Sequence, residues 1–290
     1  MQDIYFSFTL AVLFLTAIGG YLVRAVFHGR AKNGRIDAYG GSLFVGKRFL
    51  EFGMWALKPV VSLLARLRVT PNQVTFFALV PAVGAGIAAA LGSFGLAACL
   101  ATLAGLSDSV DGALARQLEQ VSDAGEALDS TLDRYAEFSF IGGLVIYFRF
   151  SSLLCMIALL ALLGAFMVSY STAKAEVLRV IPPRGVMRRA ERAIYLTFAT
   201  MLTPFSSALA GPTASLYLRQ GPILAALLLV AIAANYSAIR RLAAIVRMVT
   251  EREMASFRPL IFKEGASIPS LNVEEIIDST ASLPSAEVRG

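Results

Sequence analysis

Seven apolar runs dominate the chain, at residues 4–23, 74–91, 94–111, 127–148, 153–173, 193–210 and 223–246. Each is close to the roughly 20 residues that a helix needs to cross a hydrocarbon core. Within a bilayer every backbone amide must be paired inside the protein, and segments of this length satisfy that as helices. Composition agrees: 57% of residues are hydrophobic, 16% are charged, and mean hydropathy is +0.67. An all-α integral membrane protein is expected. Two runs are less regular. The run at 94–111 ends in carboxylates, and the run at 74–91 contains Pro81, Gly84 and Gly86, residues that kink a helix or admit a close neighbour.

The net charge of +6 and pI near 9.5 do not imply a nucleic-acid partner, because the basic residues cluster between apolar runs. Arg24, Arg30, Lys32, Arg35, Lys47, Arg48, Lys58, Arg66 and Arg68 lie between the first two runs. Lys174, Arg179, Arg184, Arg188, Arg189 and Arg192 lie between the fifth and sixth, and Arg240, Arg241, Arg247 and Arg252 close the seventh. The alternate loops hold Arg149 and Arg219. Positive charge marks the cytoplasmic side, so the N-terminus is expected outside and the C-terminus in the cytoplasm. The first run follows Asp3 with no basic region and no small-residue cleavage site, and is expected to persist as a helix of the mature protein.

Residues 43–67 mix apolar and basic residues at helical spacing around Trp55, which suits a helix lying in the cytoplasmic interface. After residue 262 the sequence turns to Ser, Pro and Glu without period, as in a disordered tail. The expected divisions are an N-terminal transmembrane helix at 1–23, a cytoplasmic linker with the interfacial helix at 24–70, a six-helix membrane domain at 71–250, and a polar tail at 251–290.

Four acids at the junction of the third and fourth runs form a spaced array: Asp108, Asp111, Asp129 and Asp133. An i, i+3 pair on one helix and an i, i+4 pair on the next each place both carboxylates on one face. Beside long apolar sequence, ionised acids call for cations. Cys99, Cys155 and His28 make no zinc or iron–sulfur set, so a metal here takes oxygen ligands, which favours Mg²⁺, Mn²⁺ or Ca²⁺. Gly112 admits a ligand close to the backbone, Ala115 has a minimal side chain, and Arg116 can fork onto a phosphate.

Asp108, Asp111, Gly112, Ala115, Arg116, Gly125, Asp129 and Asp133 fit the signature D-x2-D-G-x2-A-R-x8-G-x3-D-x3-D at every fixed position. The stretch at about 59–247 thereby resembles the CDP-alcohol phosphotransferase family. The resemblance implies a six-helix core, to which this chain adds one N-terminal transmembrane helix and the interfacial helix. It implies that Asp108, Asp111, Asp129 and Asp133 hold two ions, Mg²⁺ or Mn²⁺, with Asp133 also the general base. It places CDP-lipid contacts on Asn72, Gly112, Arg116 and Ser122. The implied reaction is phospholipid biosynthesis: attack of an acceptor hydroxyl on the β-phosphorus of CDP-diacylglycerol, with release of CMP, in a homodimer set in a bacterial inner or cell membrane with its active site facing the cytoplasm.

The basic stretch SYSTAKAEVLRVIPPRGVMRRAER resembles elements of members whose acceptor carries a phosphate, the phosphatidylinositol phosphate and phosphatidylglycerolphosphate synthases. Ser169, Lys174, Arg189 and Arg192 are the acceptor-phosphate contacts it implies. Thr172 stands where Lys is usual, Lys174 where Arg is, Arg188 where an acid is, and Ala190 where Pro is. The best-fitting acceptor is inositol phosphate, and the alternative is glycerol 3-phosphate or another alcohol.

A cation-coupled transporter would also place carboxylates among membrane helices, but it gives no reason for Gly112, Ala115 and Arg116 at fixed spacing. A membrane prenyltransferase would use two acid motifs on distant helices, whereas here all four acids fall within one helix-loop-helix. His28 is read as an interfacial residue. Arg134, which follows Asp133, is expected to pair with Glu137 at i, i+3.

Overall fold

Where the sequence supplies helix starts, helices begin. Thr70 caps the helix opening at Pro71, and its backbone amide donates in turn to the Gln73 side chain at 3.0 Å, a capping box with proline at N1. Ser122 accepts from the Gly125 amide at 3.1 Å, with Asp123 and Glu126 in the first turn, where they favour the helix dipole. At the other end of a helix, Arg179 adopts a left-handed φ of 52° just before Pro182 and Pro183, which cannot continue it.

The computed structural model describes residues 2–28 and 47–263, all helix or connection with no strand among them. The helices are α1 (Gln2–His28), α2 (Lys47–Arg66), α3 (Pro71–Ala90), α4 (Phe94–Gln117), α5 (Asp123–Tyr147), α6 (Ser152–Leu178), α7 (Arg189–Ala210), α8 (Leu216–Arg219) and α9 (Gly221–Lys263). Six of them, α1, α3, α4, α6, α7 and α9, are long and apolar enough to cross a membrane. The remaining expected span, 127–148, is helical as α5, but the stretch 123–137 carries Asp123, Glu126, Asp129, Asp133 and Glu137, and the sustained apolar part comes after it. The protein is an integral membrane protein.

Small residues bring the helices together. The core of Met1–Ala244 is rich in alanine: Ala85, Ala88 and Ala89 of α3, Ala97 of α4, Ala158, Ala161 and Ala165 of α6, and Ala234 of α9. Where α3 crosses α5, a Cβ on Gly86 would fall on the Ser139 carbonyl and one on Gly143 on the Gly86 carbonyl, so both positions need glycine. Gly164 of α6 lies under Asn235, whose side chain donates to Leu160 O at 2.8 Å and Ala231 O at 2.7 Å. α1 packs on α4 and α7. The Asp3 carboxylate accepts from the Gly95 and Leu96 amides at 2.7 and 3.2 Å, which caps α4 from another helix.

The interfacial helix expected at 43–67 is α2 over 47–66, and residues 43–46 lie outside the described ones. Leu57 and Val61 of α2 pack on Val110 and Leu114 of α4, the neighbours of Asp111. Trp55 meets the Tyr21 ring of α1 at 5.6 Å, so the residue expected at the headgroup level is also a link between helices. A second unit, Ile245–Gly290, is described as far as Lys263 and is helical there. The expected tail from 251 thus begins as helix. Good helix formers and the i, i+4 pair of Arg247 with Glu251, at 2.7 Å, explain the continuation. The rest of that expected tail, 264–290, lies outside the described residues.

Candidate active site

The reversal between α4 and α5 brings the acids together. α4 ends at Gln117, and Glu119 takes a left-handed φ of 55° while the Gln120 amide bonds back to Ala115 O at 2.8 Å. α5 then runs back along α4, and oxygens of Asp108, Asp129 and Asp133 converge within 4.8 Å of one another. Asp111, one turn beyond Asp108 and only 4% exposed, is not in that group of three and stands near Thr75 of α3.

Two carboxylate oxygens here, Asp111 Oδ2 and Asp129 Oδ1, are buried without a hydrogen-bond partner. A carboxylate in that state is costly unless a cation meets it. The donors are all hard oxygens, so the residues fit Mg²⁺ or Mn²⁺ and not a thiophilic metal.

A cation of the protein already serves part of the cluster. Arg189, at the first turn of α7, donates from Nη2 to both Asp108 oxygens at 2.8 and 2.9 Å and from Nη1 to Asp133 Oδ1. The sequence places Arg189 at the acceptor phosphate; the structure places it on the acids. Arg192, expected beside it, points elsewhere. It is wholly buried and forks onto Glu137, Nε to Oε1 at 2.8 Å and Nη2 to Oε2 at 3.1 Å. A side chain sealed from solvent cannot receive a soluble phosphate, so Arg192 is withdrawn from the acceptor contacts. The expected Arg134–Glu137 pair is likewise replaced: Arg134 donates to Ser130 O at 2.7 Å and sits 3.9 Å from Asp133, because Glu137 already has the bidentate partner.

At the start of α5, a Cβ on Gly125 would lie 3.1 Å from Ser122 Oγ and 3.4 Å from Asn72 Oδ1. The bare glycine therefore lets Ser122 and Asn72 approach the start of α5 closely. One on Gly112 would lie 3.3 Å from Arg116 Nη1, so the exposed guanidinium folds back over the glycine. Of the four residues expected at the CDP-lipid, Asn72 lies on α3, Gly112 and Arg116 on α4, and Ser122 caps α5, and the Gly112 amide donates to Asp111 Oδ1.

Ser169 and Lys174 are less committed. The Ser169 hydroxyl donates to Ala165 O at 3.3 Å on its own helix, and Lys174 is exposed one turn before α6 ends. Thr172, between them, accepts from Arg241 Nη2 at 3.1 Å, and Ser237 accepts from the Val186 amide at 3.1 Å, so α9 fastens both the end of α6 and the connection to α7. Glu137 and Arg241 are not among the site residues that the sequence predicts. For Glu137 the signal was present: it continues the i, i+4 series of Asp129 and Asp133.

The family model described as CDP-alcohol phosphatidyltransferase matches residues 68–250. The phosphatidylinositol phosphate synthase of Cutibacterium acnes is 36% identical over 155 residues, covering 51% of this chain and 75% of that protein. That of Streptomyces avermitilis is 32% identical over 159 residues, covering 53% of this chain and 65% of the relative. The crystal structure of a Mycobacterium tuberculosis phosphatidylinositol phosphate synthase with CDP-DAG bound superposes with a TM-score of 0.57 at 24% identity, over 65% of this chain and 92% of that one. It shares the fold, and the same protein has also been solved with manganese and citrate. With the signature acids gathered at one end of a six-helix core and the family model spanning that whole core, the chain belongs to the CDP-alcohol phosphatidyltransferase family.

Proposed function

We propose that the protein transfers the phosphatidyl group of CDP-diacylglycerol to a hydroxyl of inositol phosphate, releasing CMP. The observation that carries this reading is the convergence of Asp108, Asp129 and Asp133, with Asp111 beside them and two orphaned buried oxygens in the set. Asp108, Asp111, Asp129 and Asp133 would hold two divalent ions, whose charge offsets that of the diphosphate and of the leaving CMP. Asn72, Gly112, Arg116 and Ser122 would orient the nucleotide and its phosphates.

Asp133 takes the proton of the acceptor hydroxyl, whose oxygen attacks the β-phosphorus as the bond to the CMP oxygen breaks. To act as base, Asp133 must lose its bond to Arg189. The natural partner for that guanidinium is the phosphate of the incoming acceptor, with Lys174 and Ser169 of α6 as the further contacts that the family resemblance implies. Arrival of the acceptor would thus free the base. Since the chain needs no solvent reorganisation once these groups are set, positioning and fixed charge supply most of the rate.

Inositol phosphate is favoured over glycerol 3-phosphate because relatives matching over half of the chain bear the inositol name. The departures at Thr172, Lys174, Arg188 and Ala190 keep glycerol 3-phosphate as the second reading. Basic loops support a site facing the cytoplasm and an outside N-terminus, and the family likeness supports a homodimer. The test is CMP release by purified protein in detergent with CDP-diacylglycerol and Mg²⁺ or Mn²⁺, across inositol 1-phosphate, glycerol 3-phosphate, inositol, serine and choline. Release with inositol phosphate alone supports the reading; release with another acceptor and not with it overturns the assignment.

A further inference from the structure

Glu137 and Arg192 form a buried ion pair that the reaction itself does not touch. Their side chains are 10% and 1% exposed, and the guanidinium meets the carboxylate through two hydrogen bonds. Breaking a pair of this kind is costly, but well-packed apolar residues often replace one without loss of stability. Stability alone is therefore a poor reason to place it here, especially as Arg192 Nη1 is left buried and unpartnered.

Placement suggests another reason. Glu137 lies one turn after Asp133 on α5, and Arg192 lies one turn after Arg189 on α7. The two helices are thus joined by two ionic rungs on the same pair of faces. The outer rung, Asp133 with Arg189, has to open for ions and acceptor. The inner rung is sealed, and its planar fork fixes rotation and distance in a way that a single contact would not.

We propose that Arg192 and Glu137 are positioning residues: the fork holds α5 rotated so that Asp133 keeps facing Asp108 when the Arg189 bridge opens. This rests on the reading of the acids as a divalent-cation site. Residues that orient ligands from behind typically change metal affinity by about 10- to 100-fold when replaced. The inner rung is expected to act in that range without contacting an ion.

The experiment measures Mn²⁺ affinity by electron paramagnetic resonance titration of the full chain in detergent, with thermal unfolding on the same samples. Arg192→Lys keeps the charge and loses the fork. The pair Glu137→Met with Arg192→Met removes both charges and keeps the bulk, so it stays testable where the lysine variant does not fold. The expected result is a folded variant with Mn²⁺ bound about tenfold or more weakly. Wild-type affinity in either folded variant overturns the proposal, and so does loss of folding in both, which would make the rung a stability element. Asp108→Asn separates the readings. Mn²⁺ binding by the wild type that Asp108→Asn leaves intact, or no binding at all, refutes the metal site and the proposal with it; binding that needs Asp108 but ignores the inner rung refutes only the proposal.

Discussion

If the acids hold a divalent ion as proposed, Arg189 competes with it for the same oxygens, so Arg189→Met should strengthen ion binding while turnover collapses. The guanidinium makes two bonds to Asp108, at 2.8 and 2.9 Å, and one to Asp133. Hydrogen bonds to charged groups contribute about 1.5–3 kcal/mol each. The side chain is 34% exposed, however, so water recovers much of that when it swings out, and solvent screens the rest. A net opposition to ion binding of about 1.4–2.8 kcal/mol remains, or about 10- to 100-fold in affinity. Repulsion between the ion and a guanidinium that stays nearby acts in the same direction. The assay is Mn²⁺ titration of the wild type, Arg189→Lys and Arg189→Met in detergent, followed by CMP release from the same samples. Methionine should bind Mn²⁺ most tightly, with lysine between. Turnover should fall because the acceptor phosphate loses its counter-charge. Mn²⁺ binding in Arg189→Met that is unchanged or weaker would refute the competition, and with it the idea that acceptor arrival frees Asp133.

Asp133→Asn should lower CMP release by about 10²- to 10⁴-fold, the range of a general base, with an unfolding temperature near that of the wild type; a fully active variant removes Asp133 from that role. Lys174→Ala should raise KM for inositol phosphate by about tenfold, one charge-assisted bond partly screened by water, and leave KM for CDP-diacylglycerol in place. An equal effect on both substrates would count against the acceptor assignment. Gly86→Ala should separate α3 from α5 and destabilise by about 1–3 kcal/mol, a fall in Tm of about 3–10 °C. The control Gly19→Ala, where an added Cβ meets nothing within 4 Å, should hold or slightly raise Tm.

The positions of the long helices and the acid signature could be read directly because both are local. A membrane run is a property of twenty consecutive residues, and D-x2-D with D-x3-D is a property of helical spacing. What lies across helices is not local, and helical spacing alone does not show it. Arg192 has the same sequence context as Arg189, in a basic stretch after the connection from α6, and only the packing of α7 on its neighbours decides that one reaches the acids and the other is sealed on Glu137. The Arg134–Glu137 expectation failed for the same reason: i, i+3 spacing makes contact possible, and a bidentate partner on another helix is the stronger competitor. Glycine gave a partial signal. Gly86 in the run at 74–91 suggested a close neighbour, but not that the neighbour would be the Ser139 backbone on the helix bearing Asp129 and Asp133.

The distribution of polar groups along α4 and α5 bears on how a membrane-embedded site can open without loosening its helices. At the end remote from the acids, Asp3 caps α4 and the Gln220 amide donates to the Tyr147 hydroxyl, so the contacts there come from groups with little reason to exchange. Midway, Gly86 and Gly143 put α3 and α5 in backbone contact, where there is no side chain to rearrange. One turn from the site comes the sealed Arg192–Glu137 fork. At the site are the half-exposed Arg189 bridge and the orphaned oxygens of Asp111 and Asp129. Rigid contacts therefore give way to exchangeable ones along the same helices. A site whose outer bonds open in each turnover, while the backbone contact one or two turns away stays shut, confines the motion to side chains. In the proposed reaction, that arrangement would let Asp133 be released from Arg189 without α5 moving away from Asp108.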